Sequence, residues 1–171
     1  MNMLAEGGLQ IVTDEIRRAD DDNPNGYFEL EIVKQLKEGN SIWLGDAGGK
    51  AVKVVSSLLE YLPANHSYKI LFMEREIKEI LASQKKMLAH RKEISAVGDE
   101  EMELRFRNHL LVVKPWLMRQ ANMEILYVNY NALMTDPTPF CQRITDFIHI
   151  PLDQARMLSV PSGQLYRNRV W

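Results

Sequence analysis

Three segments of this chain are short, rich in β-branched and aromatic residues, and almost unbroken in apolar character: Ala51 to Val55, Tyr68 to Met73 and Glu124 to Val128. A strand with one wet face alternates apolar and polar side chains. A strand covered on both faces does not, and such strands belong to parallel sheets whose crossovers lay helices over each side. The stretches between and after them have helical spacing. Ile77, Ile80, Leu81 and Leu88 fall on one face of a helix from about Glu76 to His90, with Lys78, Glu79, Lys85 and Lys86 mostly outside it. Met102, Phe106, Leu110, Val113 and Leu117 share a side of a second helix, from about Glu100 to Gln120, which Pro115 must kink or interrupt. Asp136-Pro137 starts a third, with Asp as cap and Pro at the first helical position, followed by Phe140, Ile144, Phe147 and Ile148 at core spacing. The order strand, strand, helix, helix, strand, helix predicts an α/β fold with a mainly parallel sheet flanked by helices.

The N-terminal third is less regular. Asp20 to Gly26 is dense in acidic and turn-forming residues and predicts an exposed loop leading into a helix near Phe28 to Lys37. Gly7-Gly8 followed by Leu9, Ile11 and Val12 predicts a turn and a short strand. No repeat or linker divides the 171 residues, a length suited to one domain with a single core. Hydrophobic content of 46% with 26% charged residues excludes a disordered or fibrous chain. The net charge of -2 gives no global positive field for nucleic acid or an anionic membrane, so any anion site must be local. Cys141 is the single cysteine, which rules out an internal disulfide and a cysteine-based zinc cluster and favours a reducing, cytoplasmic setting. Apolar runs such as Ile70 to Met73 fall far short of a membrane span, and Met1 to Gly8 lacks the basic head and long apolar stretch of a secretory signal.

The most informative chemistry lies in Leu71-Phe72-Met73-Glu74-Arg75, which a helix follows at once, with Ser83 two turns in. An arginine at a strand's carboxyl end, beside the free N–H groups of a helix start, makes a phosphate site. Eight helical residues span about 12 Å, so Arg75 and Ser83 share a ligand only if the arginine reaches along the helix. The competing reading pairs Arg75 with Glu79 one turn on and leaves Ser83 as a packing residue. Gly45 to Lys50 lacks the Gly-x-x-x-x-Gly-Lys-[Ser/Thr] pattern, since Leu44 and Ala51 stand where Gly and a hydroxyl are required, and reads as a turn before a strand. His66, His90, His109 and His149 have no metal-ligand spacing and read as surface or helix-end residues.

Strand, Arg75, helix and Ser83 together resemble the 3'-phosphate-binding element of sulfotransferases that use 3'-phosphoadenosine 5'-phosphosulfate (PAPS) as donor. Leu126 to Pro137 is similar to that family's strand-Tyr-helix segment, whose second tyrosine, here Tyr130, lies near the adenine. Lys53, in Lys-Val-Val-Ser-Ser-Leu-Leu-Glu-Tyr-Leu-Pro, resembles the family's Lys-x-His strand and the Leu-Leu-Pro after it. Gly7-Gly8-Leu9 through Asp22-Asn23-Pro24-Asn25-Gly26-Tyr27-Phe28-Glu29 resembles the region after the first helix in bacterial members. The matches keep the family's order along nearly the whole chain. The resemblance implies a P-loop NTPase-like fold and transfer of a sulfuryl group from PAPS to a hydroxyl or amine of a small-molecule or carbohydrate acceptor. The other product is 3'-phosphoadenosine 5'-phosphate (PAP), and no metal is required. It places Arg75 and Ser83 on the 3'-phosphate, Tyr130 beside the adenine and Lys53 near the transferring group.

Two departures from the family's pattern bear on activity. The first strand and the Pro-Arg-Ser-Gly-Thr-like phosphosulfate loop have no counterpart, and Met1 to Glu6 resembles the tail of the helix that follows that loop, so the N-terminus reads as incomplete. Filling the resulting gap beside the sheet predicts self-association as a homodimer. Second, Val55 stands where eukaryotic cytosolic members carry the histidine base. Glu29 is the substitute, as other branches use a glutamate; its plain alternative is a first-turn residue favourable to the helix dipole. Arg167 in the basic C-terminal stretch either folds over an anionic nucleotide or belongs to a frayed tail. A non-catalytic nucleotide-binding or interaction module on the same scaffold is the alternative function. A kinase-like phosphotransferase is disfavoured by the missing phosphate-loop pattern.

Overall fold

The computed structural model describes residues 1–20, 23–90 and 97–161. In chain order its α-helices are α1 (Asn2–Glu6), α2 (Ile77–His90), α3 (Asp99–Leu117), α4 (Tyr130–Thr135), α5 (Thr138–Ile148) and α6 (Gln154–Leu158), and its strands are β1 (Tyr68–Glu74) and β2 (Met123–Asn129). The strands pair in parallel, from Tyr68 opposite Met123 to Glu74 opposite Asn129, with α2 and α3 forming the crossover between them. The protein is thus mixed α/β around a short two-stranded parallel sheet.

Apolar continuity in these strands has the expected cause: each face has its own cover. Tyr68, Ile70 and Phe72 of β1, with Met123, Ile125 and Tyr127 of β2, pack with Leu59, Val113 and Leu117 on one side. Leu71, Leu126 and Val128 point the other way and join Leu4, Leu133, Cys141, Ile144 and Met157. The period of two along each strand therefore feeds two cores. Lys69 and Glu124, opposite one another in the register, form an ion pair at 3.2 Å.

The third predicted strand, Ala51 to Val55, does not form. Only Ala51 pairs, through a single parallel bridge to Ile11 in which Ala51 N–H donates to Gln10 and Val12 N–H donates to Ala51, both at 2.9 Å. Leu9 to Val12 likewise reduces to that bridge. Beyond it, Val52 and Val54 pack beside Val33, Leu36 and Leu58, and Val55 precedes a 3₁₀ turn at Ser56–Tyr61, so their apolar character serves side-chain packing. The predicted helix from Phe28 to Lys37 begins later, as a 3₁₀ helix over Glu31–Glu38. Phe28 sits at φ 51, a left-handed conformation incompatible with starting a right-handed helix there. A further 3₁₀ helix, Ile42–Ala47, precedes the turn through Gly48 and Gly49.

Helix α3 runs through Pro115 and ends two residues later, so the proline sits in the last turn without interrupting it. Asp136 ends α4 and accepts the Thr138 N–H at 3.0 Å, which places the start of α5 one residue beyond the expected position. Helix α1 docks on α6 through Arg156 with Glu6 at 2.9 Å and the Asp153 N–H to the Gly7 carbonyl at 2.9 Å. Among the described residues, no helix is long and apolar enough to cross a membrane.

Candidate functional site

Parallel pairing decides which side chains meet at the sheet's carboxyl edge. Glu74 and Asn129 are register partners, so Arg75 and Tyr130, each the next residue, emerge side by side. The Arg75 guanidinium carbon lies 4.9 Å from the Tyr130 ring centroid, a cation–π distance. Arg75 also donates from Nε to Glu79 Oε2 at 3.1 Å, one helical turn on. Glu79 is buried, the single buried polar residue among those described, although the helical face count placed it outside the apolar face of α2. Its second oxygen accepts from Asn131 Nδ2 at 3.1 Å, and Asn131 Oδ1 accepts the Glu76 N–H at 3.4 Å. A polar network thus links the strand-to-helix turns after β1 and β2. Asn129 caps α4 by accepting the Ala132 N–H at 2.9 Å, which fixes the start of the helix carrying Tyr130 and Asn131.

A second cluster surrounds Lys53, whose Nζ donates to the Tyr27 carbonyl at 3.0 Å and to Glu29 Oε1 at 3.3 Å. Arg17 reaches the same Glu29 oxygen at 3.4 Å and lies 3.3 Å above the Tyr27 ring. The Tyr27 hydroxyl contacts both Asp20 carboxylate oxygens at 2.8 Å; burial first, then this carboxylate, pushes its pKa up. The left-handed Phe28 turns the chain between Tyr27 and Glu29. Lys53, Tyr27, Phe28, Asn23, Asn25 and Tyr130 line a cavity of about 300 Å³. Tyr130 therefore belongs to both groups, facing the Lys53 cavity while flanking Arg75.

A larger cavity of about 550 Å³ is lined by Arg75 and walled by side chains including Leu59, Phe72, Ile80, Phe106 and Leu110. Ser56 and His109 also line it, with Ser56 Oγ and His109 Nε2 2.8 Å apart. His109 is half-buried, partnered and inside α3, unlike the surface or helix-end residue expected from the sequence. Ser83 is half-buried on α2 and lines neither cavity. Val55 is 57% exposed. Arg167 lies outside the described residues.

Of the anticipated residues, Lys53 meets Glu29, Lys53 and Tyr130 share a cavity, and Arg75 flanks Tyr130. Arg75 and Ser83 are not joined at either cavity. Sequence reasoning missed Arg17, Asn131 and the burial of Glu79. The four-residue spacing from Arg75 to Glu79 was the one available signal. The chain matches no protein-family model, no curated protein and no solved structure.

Proposed function

We propose that this chain is a sulfotransferase-like protein of P-loop NTPase-like fold. It binds PAPS or PAP and directs transfer of the sulfuryl group to a hydroxyl or amine of a small-molecule or carbohydrate acceptor, in the cytoplasm and without a metal. The observation that carries the reading is the convergence of Arg75, Tyr130, Lys53 and Glu29 beside the carboxyl edge of a parallel sheet, where open α/β sheets bind ligands.

In this reading Arg75 meets the 3'-phosphate. Glu79 accepts from Nε, and Arg75 lines the larger cavity, so in this reading its terminal nitrogens serve an anion while the buried carboxylate orients the side chain. Tyr130 offers its ring to the adenine. Lys53 offsets the charge that develops on the donor's bridging oxygen as sulfur passes to the acceptor, as cations do in phosphoryl transfer. The acceptor's proton passes to Glu29 and PAP departs. Ser83 contributes only if the ligand extends along α2.

The non-catalytic alternative is favoured by one feature: Glu29 Oε1 already accepts from both Lys53 and Arg17, which leaves Oε2 as the approach for an acceptor proton. Calorimetric titration with PAP tests the binding. Arg75→Ala strands the Glu79 carboxylate, so the Arg75→Ala/Glu79→Gln double variant accompanies it. Loss of charge-assisted bonds predicts affinity about tenfold lower or worse in both variants. Equal affinity in the wild type and the double variant overturns the assignment. PAP binding with no sulfuryl transfer from PAPS to a panel of phenols, amines and sugars selects the non-catalytic module.

A further inference from the structure

The Ser56 and His109 pair has no role in the nucleotide reading, although it lines the same larger cavity as Arg75. Ser56 opens the short 3₁₀ helix Ser56–Tyr61, while His109 lies on α3, 53 residues away, so the fold and not local sequence brings them together. Their separation of 2.8 Å is that of a good hydrogen bond between a hydroxyl and an imidazole nitrogen. A serine hydroxyl within reach of an imidazole is the minimal arrangement for an activated oxygen nucleophile. Both residues line the cavity of about 550 Å³, within the range of small-molecule sites. Its wall is largely apolar on the side formed by Leu59, Phe72, Ile80, Phe106 and Leu110.

We propose that Ser56 is a nucleophile activated by His109 and that the cavity accepts carboxylic esters with an apolar acyl chain. Ser56 Oγ forms a bond to the acyl carbon as His109 Nε2 takes its proton. The tetrahedral intermediate expels the alcohol, which leaves with the proton returned by His109. Water then attacks the acyl-serine with His109 again as base, releasing the carboxylic acid and restoring the Ser56 hydroxyl. Each half-reaction balances without a redox partner or metal. The apolar wall favours acyl groups of several carbons over acetyl, because each further methylene leaves water for an apolar surface. Among the described residues no carboxylate bonds to the other nitrogen of His109, so the pair acts as a dyad.

The probes are p-nitrophenyl esters from acetate to octanoate, together with a fluorophosphonate whose adduct is located by mass spectrometry. The expected result is a phosphonyl adduct on Ser56 of the wild-type chain and p-nitrophenolate release that rises with acyl length. Release falls at least about tenfold in Ser56→Ala and in His109→Gln and persists in Ser57→Ala, whose hydroxyl lies on the neighbouring exposed residue. The adduct is read on the unaltered protein, so the test survives a variant that fails to fold. Absence of a Ser56 adduct, release no faster than in buffer, or full activity in Ser56→Ala overturns the proposal.

Discussion

Burial of Glu79 governs what can be changed around Arg75. A carboxylate shut away from water is tolerable because Arg75 and Asn131 supply donors to its two oxygens, and removing a donor leaves a desolvated group without compensation. Helical spacing put Glu79 on the outer face of α2 because its neighbours there, Lys78 and Lys85, are exposed. Its partner Asn131 lies 52 residues further on, a contact no local pattern contains. Arg17 was invisible for the same reason, since its partners Tyr27 and Glu29 are reached across an irregular loop. Lys53 and Glu29, by contrast, were legible as residue types, and the fold places them together. Cys141 offers a direct check on packing at this scale. It is buried on the core side of α5, and desolvation pushes its thiol pKa up, so the reactive thiolate forms only at more alkaline pH than for a free cysteine. Iodoacetamide at neutral pH is expected to leave the native protein unmodified and to alkylate it quickly in denaturant; fast native labelling, followed by mass spectrometry, contradicts this packing.

Helices α2, α3 and α5 and both paired strands were readable because each owes its type to a period that its own residues carry. The segment from Ala51 to Val55 has equal β character, yet a strand also requires a neighbour in register, and only Ile11 opposite Ala51 meets that condition. Val52 and Val54 obey the same apolar preference by packing under a 3₁₀ helix instead. Docking between elements is sharpest where α1 meets α6. A Cβ on Gly7 would stand 2.8 Å from Met157 Cγ and 3.2 Å from the Met3 carbonyl, and Met157 is fully buried. Gly7→Ala is therefore expected to destabilise the protein by about 1–3 kcal/mol through overpacking, read as a lower urea midpoint. An unchanged midpoint means that Met157 has room to move aside.

Across the molecule, apolar surface left outside the cores bears on assembly. Leu104, Leu111 and Met118 recur every seven residues along and just beyond α3, and they are 58%, 72% and 77% exposed, with Val112 beside them at 70%. A seven-residue apolar repeat is the spacing by which helices associate. The two-stranded sheet has no third strand among the described residues. Both features predict self-association: sedimentation velocity should show a coefficient that rises with concentration, and Leu111→Glu should suppress the rise. A concentration-independent monomer removes the expectation. The pairing of β1 with β2 has a consequence of its own. Both strands are largely apolar on both faces, so a slip of two positions preserves most apolar contacts while displacing Arg75 by about 6.6 Å relative to Tyr130. Among the strand-to-strand pairs, the charge match of Lys69 with Glu124 and the ring contact of Phe72 with Tyr127 resist such a shift. Copies paired out of register would stay robust in a melting experiment while losing the Arg75–Tyr130 contact, and swapping the signs at 69 and 124 together tests what holds the register.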